Sequence, residues 1–285
     1  MTASTYSPLQ LARFREVQKI AYESAQDVAD GLSPGVTEKE AAARLHDRLR
    51  ARGVRSYFHR PFAWFGDRTC FAGFRTPFAF FPSSRRLEEG MAAILDVGPI
   101  LDGYAADIGY AFSCGRNPVV AQINTDLQGF RELILQRINR GDTLGEVYRA
   151  VEDMLTDLGY RNCHQAYPFG VLAHRVYRQH GPRTTNVRLA GFGAQAAFGL
   201  LGQFVASRLP RSIAGRVPFG QQGSPFCNVG AGSDVRPEPG LWAFEPHIAK
   251  GDVGAKWEEL LVIDESRAFW LDDDLPHVRR WAHAS

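Results

Sequence analysis

The segment Ile94-Leu-Asp-Val-Gly-Pro-Ile-Leu-Asp-Gly-Tyr-Ala-Ala-Asp107 predicts a β-hairpin that carries two aspartates on one face. Apolar residues alternate along it, and Asp102-Gly103 is typical of a two-residue hairpin turn. A turn centred there places Asp96 opposite Gly109, with Asp107 one diagonal step away. A shift of the turn by one residue would place the two aspartates directly opposite each other. In either register both carboxylates point to the same side of the hairpin.

Two aspartates in an otherwise apolar hairpin need an explanation. A buried carboxylate is unfavourable unless a positive group neutralises it, and two like charges at this distance repel each other. A bound cation would remove both costs. The alternative is a pair of strand-edge aspartates exposed to solvent, and the hairpin by itself leaves both interpretations open.

The sequence around the hairpin repeats one arrangement, two helices followed by strands. Apolar residues at helical spacing, a capping box at Thr37 and terminal glycines predict the helices, and period-two or apolar runs predict the strands. The arrangement occurs in residues 1–112 and again in 120–263, which predicts a pseudo-duplicated α+β domain. The predicted helices cover about 11–28, 38–52, 127–139 and 147–158, and the predicted strands about 91–98, 104–112, 170–176, 241–248 and 257–263.

Two segments have an unusual composition. Residues 54–82 are dense in aromatic side chains, which is typical of strands that line a core or, alternatively, a pocket wall. Residues 181–236 are rich in Gly, Arg, Phe and Pro, with one apolar helical candidate at 196–209. A connection this long predicts a lid, a binding loop or an oligomer contact. We expect one domain over 1–285, with 181–236 as an insertion.

Length, charge and cysteine content limit the classes of function. The chain has 285 residues, 45% of them hydrophobic, and a formal net charge of +2, so nothing favours a nucleic-acid or membrane partner. No apolar stretch is long enough to cross a membrane, and the first residues lack a secretory-signal pattern. The four cysteines form no CxxC pair. Reduced thiols in a cytoplasmic protein are therefore expected.

Four stretches, in order along the chain, resemble the pita-bread metalloenzymes, which include methionine aminopeptidases, aminopeptidase P and prolidase, and their metal-free relative creatinase. They are LDVGPILDGYAADIGYAF (95–112), FGVLAHRVYR (169–178), PEPGLWAFEPHI (237–248) and KWEELLVID (256–264). The resemblance covers roughly residues 10–265. It implies the pita-bread fold, a curved antiparallel sheet flanked by helices.

The resemblance also implies a metal site. Carried over position by position, the ligands of two divalent ions (Mn, Fe, Co or Zn) are Asp96, Asp107, His174, Glu245 and Glu258. Asp107 and Glu258 would bridge the ions, Asp96 would bind one, and His174 with Glu245 the other. Glu245 would also accept the proton of the attacking water. Four carboxylates and one imidazole make an oxygen-rich site that suits these metals.

The sequence departs from the family at its substrate-binding histidines. Ala79 stands at the position of the first histidine, and Gly181 stands at the position of the second. His180 lies one residue before that second position and is a candidate catalytic residue. His59 and His247 are weaker candidates for the missing function.

Two smaller departures lie near the ligands. Tyr177 stands where a glycine usually follows the histidine, and the run that ends at Glu245 is one residue shorter than usual. Strand alternation allows only one of Glu258 and Glu259 to point inward, and the motif selects Glu258.

Three classes of function follow from these features. The first is a dinuclear hydrolase similar to Xaa-Pro peptidases, which cleaves an amide or peptide bond in a small substrate with a metal-bridging hydroxide. The second is a non-peptidase on the same fold, a creatinase-like C–N hydrolase or a metal-assisted lyase. The third is a catalytically silent binding protein. A short peptide or small molecule is the expected ligand, and the resemblance implies a homodimer.

Overall fold

The computed structural model describes residues 6–74, 77–179, 188–189, 192–193 and 225–284. Two features predicted from the sequence therefore lie outside the described residues. They are the candidate His180 and the helical segment 196–209. Most of the proposed insertion lies outside them as well.

Five helices are described, and their ends follow the capping signals of the sequence. The Thr37 hydroxyl accepts a hydrogen bond from the Glu40 backbone N–H, and Thr143 and Glu146 form the same capping box. Asn117 caps the third helix, which therefore begins nine residues earlier than predicted. The helices are α1 (Pro8–Asp30), α2 (Glu38–Ala51), α3 (Pro118–Arg140), α4 (Leu144–Asp157) and α5 (Pro276–Ala284).

In the described part of the chain, antiparallel pairs make up three sheets. The first contains β1 (Ser56–Phe65), β2 (Ala92–Leu101), β3 (Tyr104–Ala105), β4 (Ile108–Ser113), β7 (Arg188–Leu189) and β8 (Phe192–Gly193), in the order β3-β2-β1-β8-β7 with β4 also paired to β2. The second contains β6 (Ala173–Val176), β9 (Gly240–Phe244), β12 (Glu259–Ile263) and β13 (Ala268–Trp270), in the order β13-β12-β9-β6. The third contains β5 (Arg161–Asn162), β10 (His247–Lys250) and β11 (Val253–Lys256), in the order β11-β10-β5.

The hairpin of β2 with β3 and β4 has the first of the two predicted registers. Asp96 lies opposite Gly109, and Ile100 lies opposite Ala105. Asp102 and Gly103 have φ values of 51° and 84°, as a two-residue turn with both central residues in the left-handed region requires. The hairpin itself therefore sets the relative position of the two aspartates.

Two strand predictions need correction. Only the first part of the aromatic segment is a strand, β1, and it is followed by short 3-10 helices at Gly66–Cys70 and Pro77–Phe80. The predicted run 241–248 is two strands, β9 and β10, which belong to different sheets. The break falls at Glu245-Pro246, where proline has no N–H to continue a ladder.

The core follows the predicted duplication. One apolar cluster packs α1 and α2 against β1, β2 and β4, and another packs α3 and α4 against β9 to β13. The isolated bridge between Tyr110 and Trp257 joins the two halves. The architecture is α+β, as predicted. In the described part of the chain no helix has the length and apolar character needed to cross a bilayer.

Candidate metal centre

The five predicted ligands lie on five strands or at their ends, and they converge. Asp96 is on β2, and Asp107 directly precedes β4. His174 is on β6, Glu245 directly follows β9, and Glu258 directly precedes β12. The four carboxylate residues are at most 7% exposed. Both halves of the duplicated fold therefore contribute to one buried, acidic site.

Asp107 and His174 form the first ligand group with Glu258. The His174 Nε2 atom lies 3.5 Å from Asp107 Oδ2 and 3.8 Å from Glu258 Oε1. Its Nδ1 lies 3.1 Å from the Arg175 carbonyl oxygen, which can only accept, so Nδ1 carries a proton. One ligand atom from each of the three residues falls within reach of a single ion.

A second ligand group contains His59, which the sequence suggested only as a weak substitute for a substrate-binding histidine. The His59 Nε2 atom lies 2.8 Å from Asp107 Oδ1 and 3.3 Å from Asp96 Oδ1. These three residues could also hold one ion. Asp107 is common to both groups and offers one carboxylate oxygen to each histidine.

Lys256 is the residue of this site that sequence reasoning missed. Its fully buried Nζ atom donates hydrogen bonds to Asp96 Oδ2 at 2.7 Å, to Glu245 Oε2 at 3.0 Å and to Glu258 Oε2 at 3.0 Å. The Tyr167 hydroxyl oxygen lies 2.9 Å away. A signal was available, because residues two apart on an extended chain share a face, so Lys256 had to accompany Glu258.

The carboxylates differ in how well they are neutralised. Burial raises the pKa of Glu245 to about 8, and the adjacent Glu258 adds to the rise. Burial also raises the pKa of Asp96 to about 6, although Lys256 opposes the rise. For Asp107, burial is outweighed by the two histidines, which hold its pKa below its usual range. Burial opposes protonation of His59, but Asp107 and Asp96 raise its pKa to about 9. The two histidines and Lys256 thus supply the positive charge beside the carboxylates, and a bound ion would take the place of a histidine proton.

Glu258 and Glu259 point to opposite sides of the strand. Glu258 Oε1 faces His174, whereas both Glu259 oxygens accept hydrogen bonds from Arg131 Nε, at 2.9 and 3.1 Å. His277 Nε2 also lies 2.7 Å from Glu259. Glu245 enters neither ligand group among the described residues, and its Oε2 accepts a hydrogen bond from Lys256.

The backbone of Glu258 is held by a side chain of α1. The Tyr22 hydroxyl accepts a hydrogen bond from the Glu258 N–H at 3.1 Å and donates one to the Glu258 carbonyl at 2.8 Å. Tyr22 is fully buried. This contact fixes Glu258 between β11 and β12, where the chain passes from one sheet to another.

The remaining candidates have structural partners. Ala79 lies in the second 3-10 helix, where its carbonyl accepts a hydrogen bond from Arg68 Nη2. The ring of Tyr177 packs against the guanidinium of Arg175 at 4.9 Å. His247 is fully buried, and its Nε2 lies 2.6 Å from the Thr69 carbonyl oxygen.

The donor set fits divalent metal ions. Each group combines one imidazole nitrogen with carboxylate oxygens, and both histidines are oriented through Nδ1 by a backbone carbonyl, as ligating histidines commonly are. Mn(II), Fe(II), Co(II) and Zn(II) accept such ligands.

Comparisons with known proteins point to one family. The profile of Metallopeptidase family M24 matches residues 12–265. The methionine aminopeptidase of Archaeoglobus fulgidus is 25% identical over 167 residues, which are 59% of this chain and 53% of the relative. That of Aquifex aeolicus is 23% identical over 176 residues, 56% of this chain and 65% of the relative. The matches thus span about half to two thirds of these relatives.

Solved structures share the fold at low sequence identity. The X-Pro aminopeptidase of Thermotoga maritima superposes with a TM-score of 0.66 and 17% identity, over 95% of this chain and 63% of that one. The prolidase of Pyrococcus furiosus gives a TM-score of 0.63 and 15% identity, over 93% of this chain and 64% of that one. The fold is therefore the pita-bread fold that the sequence predicted.

Proposed function

The chain belongs to metallopeptidase family M24, and we propose that it is a metal-dependent hydrolase that cleaves an amide or peptide bond in a small substrate. The observation that carries the proposal is the convergence of Asp107, His174 and Glu258 on one position that an ion could occupy. A divalent ion bound there would polarise a carbonyl oxygen and lower the pKa of water towards neutrality. By the family pattern, we assign Glu245 as the group that accepts the proton of the attacking water.

We further propose a dinuclear centre, because the two ligand groups share Asp107 and together offer six ligand atoms. Manganese is the first ion to test, since the set is dominated by carboxylate oxygens. Xaa-Pro dipeptides are the first substrates to test. Phe62 stacks on His59 at 5.2 Å, and Phe80 stacks on Tyr167 at 6.0 Å, so aromatic rings that could pack against a proline ring adjoin the carboxylates.

One observation favours a second candidate function. Ala79 stands at the position of a substrate-binding histidine, and its carbonyl is held by Arg68 within a short helix. A creatinase-like hydrolase of a non-peptide C–N bond, or a metal-assisted lyase, would explain why the ligand residues are kept without that histidine.

We also propose a cellular compartment and an oligomeric state. All four cysteines are free and buried, which suits a reducing compartment such as the cytoplasm. The expected assembly is a homodimer, which sedimentation of the purified chain would test.

The test compares substrates on protein stripped of metal and reloaded separately with Mn(II), Fe(II), Co(II) or Zn(II). We expect metal-dependent release of proline from Xaa-Pro dipeptides. Cleavage of a guanidino or urea C–N bond without peptide cleavage would support the second candidate. Bound metal without turnover of either class would contradict both hydrolase proposals and favour a binding protein.

A further inference from the structure

His59 and His174 occupy equivalent positions on opposite oxygens of Asp107. The His59 Nε2 atom lies 2.8 Å from Oδ1, and the His174 Nε2 atom lies 3.5 Å from Oδ2. Each histidine also faces one further carboxylate, Asp96 for His59 and Glu258 for His174. The two halves of the fold therefore present one imidazole each to the same central aspartate.

The orientation of the His59 ring is that of a metal ligand. Its Nδ1 lies 3.0 Å from the carbonyl oxygen of Arg60, just as that of His174 lies 3.1 Å from the carbonyl of Arg175. A carbonyl can only accept a hydrogen bond, so Nδ1 is the donor in both rings. Nε2 is then the atom that each ring directs at the carboxylates, and a carbonyl on the other nitrogen is a common outer partner of metal-bound histidine.

The backbone of β1 and β2 is shaped around this ring. The pairing of the two strands is irregular on both sides of His59, between Tyr57 and His59 and between His59 and Phe62. Such bulges re-aim a side chain. Gly98 lies opposite, and a Cβ there would come within 3.1 Å of His59 Cδ2 and 3.3 Å of Asp107 Oδ1. The glycine thus leaves the room that the imidazole occupies.

Lys256 binds carboxylate oxygens of the site, which leaves fewer of them to coordinate an ion. Its ammonium holds Asp96 Oδ2 at 2.7 Å and Glu258 Oε2 at 3.0 Å. These two oxygens are therefore engaged by Lys256. Asp96 is left with Oδ1 to offer to an ion, and Oδ1 is the atom that His59 faces.

We infer that His59 is a further metal ligand, which completes with Asp96 and Asp107 the first of two ion positions, while Asp107, His174 and Glu258 form the second. The inference rests on the proposed metal-dependent function. It makes the two positions alike, each with one imidazole nitrogen and carboxylate oxygens. A nitrogen in the first position would favour Co(II), Fe(II) or Zn(II) there over Mn(II).

The experiment titrates metal-free protein with Co(II) under anaerobic conditions, by calorimetry and by visible absorption, and measures bound metal by mass spectrometry. The variants are His59→Ala, His59→Gln and His174→Ala. The matched control is His46→Ala, a histidine of α2 whose ring packs on Tyr57 at 5.3 Å. Circular dichroism of the metal-free proteins verifies that each variant is folded.

We expect two ions in the wild type and in His46→Ala. His59→Ala should retain one ion and bind the second at least about 100-fold more weakly, with loss of part of the Co(II) absorption. His59→Gln, which keeps a polar atom and the fold, should show the same loss of stoichiometry. His174→Ala should lose the other ion.

Two unchanged ions in both His59 variants would overturn the role of His59 and leave the proposed function intact. One ion in the wild type, lost in His174→Ala but kept in His59→Ala, would also overturn it and indicate a mononuclear centre. No bound metal in any protein would instead remove the proposed function together with this inference.

Discussion

Gly109 leaves open the space through which Lys256 reaches the carboxylates. A Cβ at Gly109 would lie 2.4 Å from Lys256 Cε and 2.8 Å from Cδ. The same glycine lies opposite Asp96 in the hairpin, so one strand position allows the ammonium to reach the aspartate across the pair. The placement of Lys256 thus depends on a residue without a side chain.

Substitution Gly109→Ala should therefore displace Lys256. We expect a loss of about 1–3 kcal/mol in the free energy of unfolding, because a methyl group is forced into a filled, buried space. Chemical denaturation of the metal-free protein measures it. The control is Gly232→Ala, where an added Cβ meets nothing within 4 Å. Equal stability of the two variants would contradict the close contact.

Substitution Lys256→Met should destabilise the metal-free protein by about 3–5 kcal/mol, because it leaves three buried carboxylates without their shared partner. Added divalent metal should restore part of the loss, since ions would then supply the missing positive charge. Thermal unfolding with and without metal measures both effects. Lys19→Met, which removes an exposed pair with Asp274, is the control. An equal loss in both metal states would argue against a metal beside Lys256.

Substitution Asp107→Asn should reduce turnover at least about 100-fold and weaken the binding of both ions, because Asp107 belongs to both ligand groups. The change nearly conserves shape, so folding should survive. Asp102→Asn in the same hairpin is the matched control, since Asn also tolerates the left-handed backbone at that turn. Full activity of Asp107→Asn would remove metal-dependent hydrolysis at this site.

His180, outside the described residues, remains a prediction from the sequence. We expect His180→Ala to lower turnover about 10-fold or more while metal content stays unchanged, because its proposed contact is with substrate rather than metal. Steady-state kinetics together with metal analysis separates these effects. An unchanged rate would assign His180 no part in catalysis.

A buried histidine away from the ligands should make stability depend on pH. His164 is fully buried, and burial lowers its pKa to about 3, against about 6.5 in the unfolded chain. The unfolded state therefore binds the extra proton between these values, and stability falls as pH drops through that window. In His164→Leu the free energy of unfolding should change less with pH than in the wild type. Within this window the two slopes should differ by about 1.4 kcal/mol per pH unit.

Denaturation of metal-free protein at several pH values between 4 and 6 measures the difference in slope. His283→Leu, at an exposed histidine, is the control. Parallel pH profiles of wild type and His164→Leu would show that His164 does not titrate on unfolding.

The hairpin was the most predictable part of the fold. Its Asp-Gly turn and alternating pattern limited the register to two alternatives, and the observed pairing of Asp96 with Gly109 is the first of them. The capping box at Thr37 likewise identified a helix start, whereas the helix that follows Thr143 begins three residues earlier than predicted. Local signals of this kind succeed because the residues that form the turn or cap are adjacent in the chain.

Contacts between distant segments were less predictable. His59 reaches the site through irregular pairing between β1 and β2. A periodic pattern of apolar residues in the sequence does not predict where such a bulge occurs. Lys256 could have been found by counting two residues back from Glu258, but its three carboxylate partners come from β2, β9 and the joint before β12. Tertiary packing brings these distant residues together, and local patterns in a single sequence do not predict it.

Tyr22 gives the first helix a part in the geometry of the opposite half of the molecule. At Glu258 the chain leaves one sheet for another, and the phenol oxygen of Tyr22 satisfies both backbone groups of that residue. The Tyr22 side chain thus makes the hydrogen bonds that a neighbouring strand would otherwise make with the backbone of Glu258. The position of a carboxylate late in the chain is consequently encoded in a tyrosine of the first helix, and a fragment that lacked α1 would leave both backbone groups of Glu258 without this partner.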